Sequence, residues 1–229
     1  MRPRNLICAL ALLPLAFAAA HAAPAAPDLD ALVTYETRQL TASGVTRTET
    51  WRERIVRRGD VVWSERVLPA AAVGHVHGSA AAPTAHKHFD FERAARWVQR
   101  DANGQLQLRF VDRAHRTVVS VPKAEYAAVG FDGRWDAAAH LVPPSVVERM
   151  TVAPAGRGTA QWRTESANGW RHRVLWSPAR QTALRIESTR DDGSARRVVS
   201  VEPSNAAPRA LPWSGVEGYT QREYDDFMD

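Results

Sequence analysis

The chain has 229 residues, 30 of them Lys or Arg against 25 Asp or Glu, and a single cysteine. So small a charge excess, with no dense basic block, excludes a nucleic-acid binder read by charge, and one cysteine excludes a disulfide scaffold. About two hundred residues beyond a leader suffice for one domain held by its own core.

The leader comes first in the chain. MRPRNLICALALLPLAFAAAHAAPAAPD begins with Arg2 and Arg4, continues as an apolar run from Leu6 to Ala20 and ends in small residues. That is the layout of a secretory signal peptide over residues 1–23, with cleavage expected after Ala22 or Ala23. The run is too short and too Ala-rich for a good membrane anchor, and no second long apolar run follows. Cys8 lies inside this run, so the exported chain carries no thiol chemistry, and the expected location is a bacterial periplasm. Removing Arg2 and Arg4 leaves 28 basic against 25 acidic residues, a net of +3.

Residues 24–203 read as one β domain. VTYETRQL (Val33–Leu40), VTRTETWRERIV (Val45–Val56) and VVWSERVL (Val61–Leu68) are rich in β-branched and aromatic residues and are separated by Ala42-Ser43-Gly44 and Arg58-Gly59-Asp60. They predict an antiparallel meander. ARWVQRD and QLQLRFVD flank an Asn103-Gly104 turn, and Leu106, Leu108 and Phe110 alternate with Gln105, Gln107 and Arg109. Period two with one apolar face is a half-buried strand, and Asn-Gly between two such runs signals a hairpin. RTVVSV (Arg116–Val121) continues the series.

From Val121 to Met150 the pattern changes to a mixed connection able to cover one side of a sheet. Pro122 and Pro144 open two short helix candidates, PKAEYAAV and PSVVERM, because proline suits the first helical turn. Strands resume with TAQWRTES, WRHRVLWS, TALRIESTR and ARRVVSVEP, joined through Asn168-Gly169, Pro178 and Asp192-Gly193. The expectation is nine or ten antiparallel strands in a mainly β fold, too many to lie flat in one sheet without strong curl or splitting. Residues 204–229 read as a polar, Pro/Gly-broken extension pinned by Trp213 and Tyr219.

One stretch resembles a known family. Trp176-Ser177-Pro178, then Leu184-Arg185-Ile186-Glu187-Ser188-Thr189, Asp191-Asp192-Gly193 and a Val-rich strand resemble the closing strands of the LolA-like superfamily, the periplasmic lipoprotein carriers and RseB-type sensor domains. The likeness runs over Leu32–Val201 in pattern and Val174–Val201 in motif. It implies a half-barrel, one large curved antiparallel sheet whose concave apolar face is closed by short helices. In the carriers that face holds the acyl chains of lipoproteins. No functional residue of the family is matched to a residue of this chain.

Two constellations carry candidate chemistry. HVHGSAAAPTAHKH places His75, His77, His86 and His88 as two His-x-His pairs around a small-residue loop at about 75–88. If both pairs are extended and pair across the loop, four imidazoles meet at one sheet edge, with Asp90 and Glu92 continuing the alternation. Imidazole suits Cu and Zn. An exposed Ala/Pro loop that happens to carry histidines, or a pH-responsive contact, fits the same residues. Second, Leu106, Leu108, Phe110, Trp170 and Trp176 are the expected lining of an apolar ligand cavity, or of an ordinary core. Catalytic motifs are absent, and Asp132, Asp136 and His140 form no convincing acid–base set. The expected function is a non-enzymatic periplasmic carrier of an apolar, lipid or lipoprotein-like ligand or of an envelope protein partner, with no integral membrane span. The alternative is a Cu/Zn-binding protein using the histidine stretch.

Overall fold

The computed structural model describes residues 26–69, 89–205 and 210–227. His75, His77, His86 and His88, and the leader, lie outside them. The first meander is β1 (Leu29–Leu40), β2 (Thr46–Arg58), β3 (Val61–Arg66), β4 (Ala95–Arg100), β5 (Leu106–Asp112) and β6 (Thr117–Val121). The second is β7 (Thr151–Arg157), β8 (Ala160–Ala167), β9 (Trp170–Ser177), β10 (Thr182–Arg190) and β11 (Ala195–Pro203). Between them lie two six-residue helices, α1 (Trp135–His140) and α2 (Pro144–Arg149), and β12 (Thr220–Glu223) follows in the tail.

All twelve strands form one sheet in the order β12-β6-β5-β4-β3-β2-β1-β11-β10-β9-β8-β7. The two meanders are sewn together by β1 and β11, which pair antiparallel from Ala31 opposite Pro203 to Gln39 opposite Ala195. β6 and β7 are ten strand positions apart, roughly 48 Å across a flat sheet at the usual strand spacing. The connection from Pro122 to Met150 must therefore cross the sheet, and it crosses one face only. Helix α1 comes within 8 Å, Cα to Cα, of both β4 and β10. A helix of six residues is about 9 Å long. Strands five positions apart can both reach it only if the sheet curls around it, and this gives the molecule its concave inner face.

Period two then sorts the side chains. Inward residues Leu29, Ala31, Val33, Ile55, Val98 and Leu108 form the main core with Tyr126, Phe131 and Ala139 of the crossing segment. Outward residues Val56, Trp63, Ala95, Val111 and Val118 form a second core on the convex face, which the tail covers with Val216, Trp213 and Tyr219. A third, smaller cluster joins Val147 and Met150 to Val174, Ala183, Trp176 and Ile186.

Four local features differ from the sequence expectation. Only Lys123–Glu125 of the first helix candidate is helical, as a 3-10 turn. Gly130 and Gly133, at φ 70° each, take the chain instead into a bend that seats Tyr126 against Phe131, with ring centroids 5.0 Å apart. Helix α1 was not anticipated, because Trp135–His140 is too short to show a period. Strand β7 was hidden by Pro154, which cannot donate to a ladder and is tolerated here because β7 is the sheet edge. Strand β12 pairs parallel with β6, from Thr220 opposite Thr117 to Glu223 opposite Ser120, so the otherwise antiparallel sheet is mixed at that edge. No described helix is long and apolar enough to cross a membrane.

Candidate functional site

The concave face has a closed half and an open half. In the closed half the apolar inner residues are roofed by the Tyr126–Phe131 bend and α1. The Tyr126 hydroxyl donates to the Leu106 carbonyl at 2.9 Å, and Trp135 of α1 lies under the guanidinium of Arg100, 4.6 Å from the ring centre.

The roof is pinned by one residue. Arg57 sits on β2 two positions after Ile55 and therefore points inward. It is fully buried. Its guanidinium donates to the carbonyls of Pro27 at 2.9 Å, Arg180 at 2.7 Å and Gln181 at 3.3 Å, and to that of Ala139 at the end of α1. Among the described residues no carboxylate pairs with it. Burial pulls its pKa down to about 10, against a weaker upward pull from Asp28, so it stays charged at neutral pH. Its Nη1 also lies 3.4 Å from the His140 Nδ1. A buried guanidinium without a carboxylate partner is costly to desolvate, by several kcal/mol. Its fork of donors is matched to three segments at once: the chain before β1, the end of α1 and the turn before β10.

Next to it, His140 is also buried, and its Nδ1 donates to the Gln181 carbonyl. Burial holds its pKa below the usual histidine value, an effect opposed by the Gln181 carbonyl and reinforced by Arg57. Thr182 Oγ1 closes the set by donating to the His140 carbonyl at 3.2 Å. Two of the four described non-glycine residues with positive φ, Leu141 (65°) and Gln181 (45°), flank this knot. Each such residue stores about 1–3 kcal/mol when surrounding contacts hold it there. The other two, Arg116 and Asn168, lie in turns between strands.

The open half is a cleft of about 850 Å³ between β2, β3, β4 and the Phe91 segment. Its apolar lining is Trp51, Phe91, Phe110 and Val129, and its polar lining includes Arg47, Arg66, Arg96, Glu49, Glu53 and Glu92. Trp51 stacks on Tyr35 with ring centroids 5.0 Å apart and planes 8° apart. Phe91 meets Phe110 edge-on at 5.2 Å and Tyr224 of the tail at 5.4 Å. The cleft therefore opens onto the inner core.

Of the residues singled out for an apolar cavity, Leu108 and Phe110 are buried in the inner core with Leu106 packed against it. Trp176 belongs to the separate cluster beneath α2. Trp170, at the far end of β9, lies between Arg190 and Arg197, 5.5 and 5.3 Å from its ring centre. The fold thus brings the three β5 residues together and leaves both tryptophans elsewhere.

Asp90 does not continue a strand. It accepts from the backbone N–H groups of Glu92 and Arg93, both at 3.1 Å, and so builds a turn. Period two from His88 onward is lost there, and Glu92 lies on the cleft rim instead. No described group of three His, Cys, Asp or Glu residues has metal-site geometry. The set Asp132, Asp136 and His140 does not converge either, since Asp132 is engaged with Arg134 at 2.8 Å while His140 faces the Gln181 carbonyl. Arg57 was the residue that sequence reading missed. Its signal was only partial: two-residue spacing puts it on the same face as Ile55.

No family model and no curated protein matches the chain. Among solved structures it is similar to PNGF-II at 11% identity and a TM-score of 0.37, over 88% of this chain and 32% of that one, so it spans about a third of that protein's length. It is similar to an uncharacterized conserved protein from Thermus thermophilus at 8% identity and a TM-score of 0.34, over 84% of this chain and 90% of the other. A LolA superfamily protein from Nitrosomonas europaea aligns at 12% identity and a TM-score of 0.28, over 82% of this chain and 90% of its own. These likenesses are of fold, loose at every TM-score quoted, and they include a LolA superfamily member of the kind that Val174–Val201 resembles.

Proposed function

We propose that the chain is an exported, periplasmic, non-enzymatic binding protein of the carrier kind. It takes an apolar, lipid or lipoprotein-like ligand, or an apolar segment of a protein partner, into the concave face of its half-barrel. The single observation that carries this reading is Arg57. A core that only had to be stable would not hold a fully buried cation that has no carboxylate partner among the described residues. A roof that must open has a use for it. Arg57 ties the end of the roof helix α1 to the sheet through the Ala139 carbonyl, and the strained Leu141 and Gln181 favour release. Opening uncovers Leu108, Phe110 and Val98 for an apolar ligand, and closure replaces the ligand with Tyr126, Phe131 and Trp135. The closed form is the unloaded state.

The Arg57→Leu variant tests this. It removes the tie, leaves apolar volume in its place and raises the population of the open form, so apparent affinity for an apolar ligand rises. The full chain is titrated with a fluorescent apolar dye and examined by native mass spectrometry after extraction from periplasm. The variant is expected to bind the dye several-fold more tightly and to retain more co-purified lipid, while losing about 2–4 kcal/mol of stability to the orphaned carbonyls. A folded Arg57→Leu protein that binds no more dye or lipid than the parent would remove the reading.

A further inference from the structure

We propose that the open cleft reads the charge of the ligand: it holds an oxyanion, a carboxylate or a phosphate borne on an apolar tail, between Arg66 and Arg96. The inference rests on the carrier reading and adds the headgroup to it.

The two arginines come from neighbouring strands and face the same way. Arg96 of β4 stands opposite Ser64 of β3, and Arg66 lies two residues beyond Ser64 on the same face. Diagonal neighbours of this kind have Cα atoms about 7–8 Å apart, within the reach of two guanidinium groups converging on one oxyanion. Arg66 is already positioned, its guanidinium 5.3 Å over the Trp51 ring that Tyr35 backs from the other side. Arginine presents a planar fork suited to carboxylate and phosphate oxygens.

Among the described residues neither Arg66 nor Arg96 makes a hydrogen bond or an ion pair, whereas the other cleft charges are mostly satisfied. Arg47 holds Glu49 at 2.6 Å, and Glu53, opposite Arg66 in the β2–β3 register, faces the Tyr35 hydroxyl, leaving Glu92 at the rim. The smaller cleft on β8 to β11, about 380 Å³, has one arginine, Arg196, without such a partner among the described residues. Its Arg171 is paired with Asp191 at 3.3 Å and its Arg173 with Glu187 at 3.5 Å.

Among the charged residues of the cleft, two aromatic rings stand near the cations. Phe91 and Phe110 line the same cleft and also belong to the inner core cluster. A tail attached to an anion at Arg66 and Arg96 runs along these rings toward the space that α1 closes. A volume of about 850 Å³ holds a headgroup and the first part of a chain.

The test is calorimetric titration of the full chain with dodecanoate, dodecyl phosphate and dodecyltrimethylammonium below their micelle concentrations, and with inorganic phosphate. The two anionic amphiphiles are expected to bind at least about tenfold more tightly than the cationic one, since charge-assisted hydrogen bonds contribute at about that level. The Arg66→Gln, Arg96→Gln double variant should erase the difference without changing the melting temperature. Whichever anion binds more tightly identifies the headgroup as carboxylate or phosphate. Equal binding of all three tails, or a preference that survives in the double variant, overturns the headgroup inference and leaves the carrier reading standing. Inorganic phosphate binding as tightly as dodecyl phosphate overturns it too, because the site would then be a plain anion site. No binding of any tail to the parent or to Arg57→Leu overturns both.

Discussion

At Arg57 and His140 the fold places two nitrogen bases side by side in a buried knot, one charged and one neutral. The charge on Arg57 survives burial because guanidinium starts from so high a pKa that a fall to about 10 leaves it protonated. His140 starts at 6.5 and is pushed down, so it is neutral where Arg57 is not. The consequence for stability has a definite sign. The unfolded chain takes up the His140 proton first, at its ordinary value of about 6.5, while the folded chain resists it. The contribution of neutral His140 is complete above that value and is lost as pH falls through the lower folded value. Urea midpoints should be level from pH 8 to 7 and fall toward pH 5, and His140→Gln should flatten that slope. Equal slopes in parent and variant would show that the ring does not titrate with folding. Two-residue spacing puts Arg57 on the same face as Ile55, but nothing in the sequence indicated that face as inward or Pro27, Ala139, Arg180 and Gln181 as its acceptors. They come from positions 27, 139, 180 and 181, and only the crossing of α1 over the sheet collects them.

The elements that sequence reading placed best are those with a long alternating pattern. β1 and β2 pair over twelve residues, from Leu29 opposite Arg57 to Leu40 opposite Thr46, and their hairpin was visible in the chain. Short elements were the ones lost: α1 and β12 have six and four residues, less than a pattern needs to declare itself. The tail is the clearest case. Its residues looked peripheral, yet it clamps the sheet from both sides, with Val216 in the outer core and Tyr224 in the inner one. β12 between them is wholly exposed and serves as the strap. Tyr224→Ala should therefore cost about 3 kcal/mol in chemical denaturation. Gln221→Ala in the strap should stay within about 0.5 kcal/mol. A Tyr224 variant as stable as the parent would mean that the tail merely rests on the sheet.

For the molecule as a whole, stability is uneven along the sheet. Strands β1, β2 and β11 lie at its centre with long registered ladders, whereas β7 is an edge whose pairing with β8 breaks between Val152 and Gly156. Amide hydrogen exchange should be slowest in β1, β2 and β11 and fastest in β7 and β12, because edge opening exposes little apolar surface. Uniform protection across the twelve strands would contradict this. The sequence by itself determined the strand-rich class, the hairpin turns and which side chains share a face, since these follow from period two and from Asn-Gly and Asp-Gly chemistry acting over a few residues. It did not determine which face becomes concave, or that Arg57 meets the end of α1 there while Arg66 and Arg96 make no ion pair among the described residues. Those depend on the β1–β11 seam and on the path of residues 122–150 across the sheet, contacts between distant segments that no local pattern encodes.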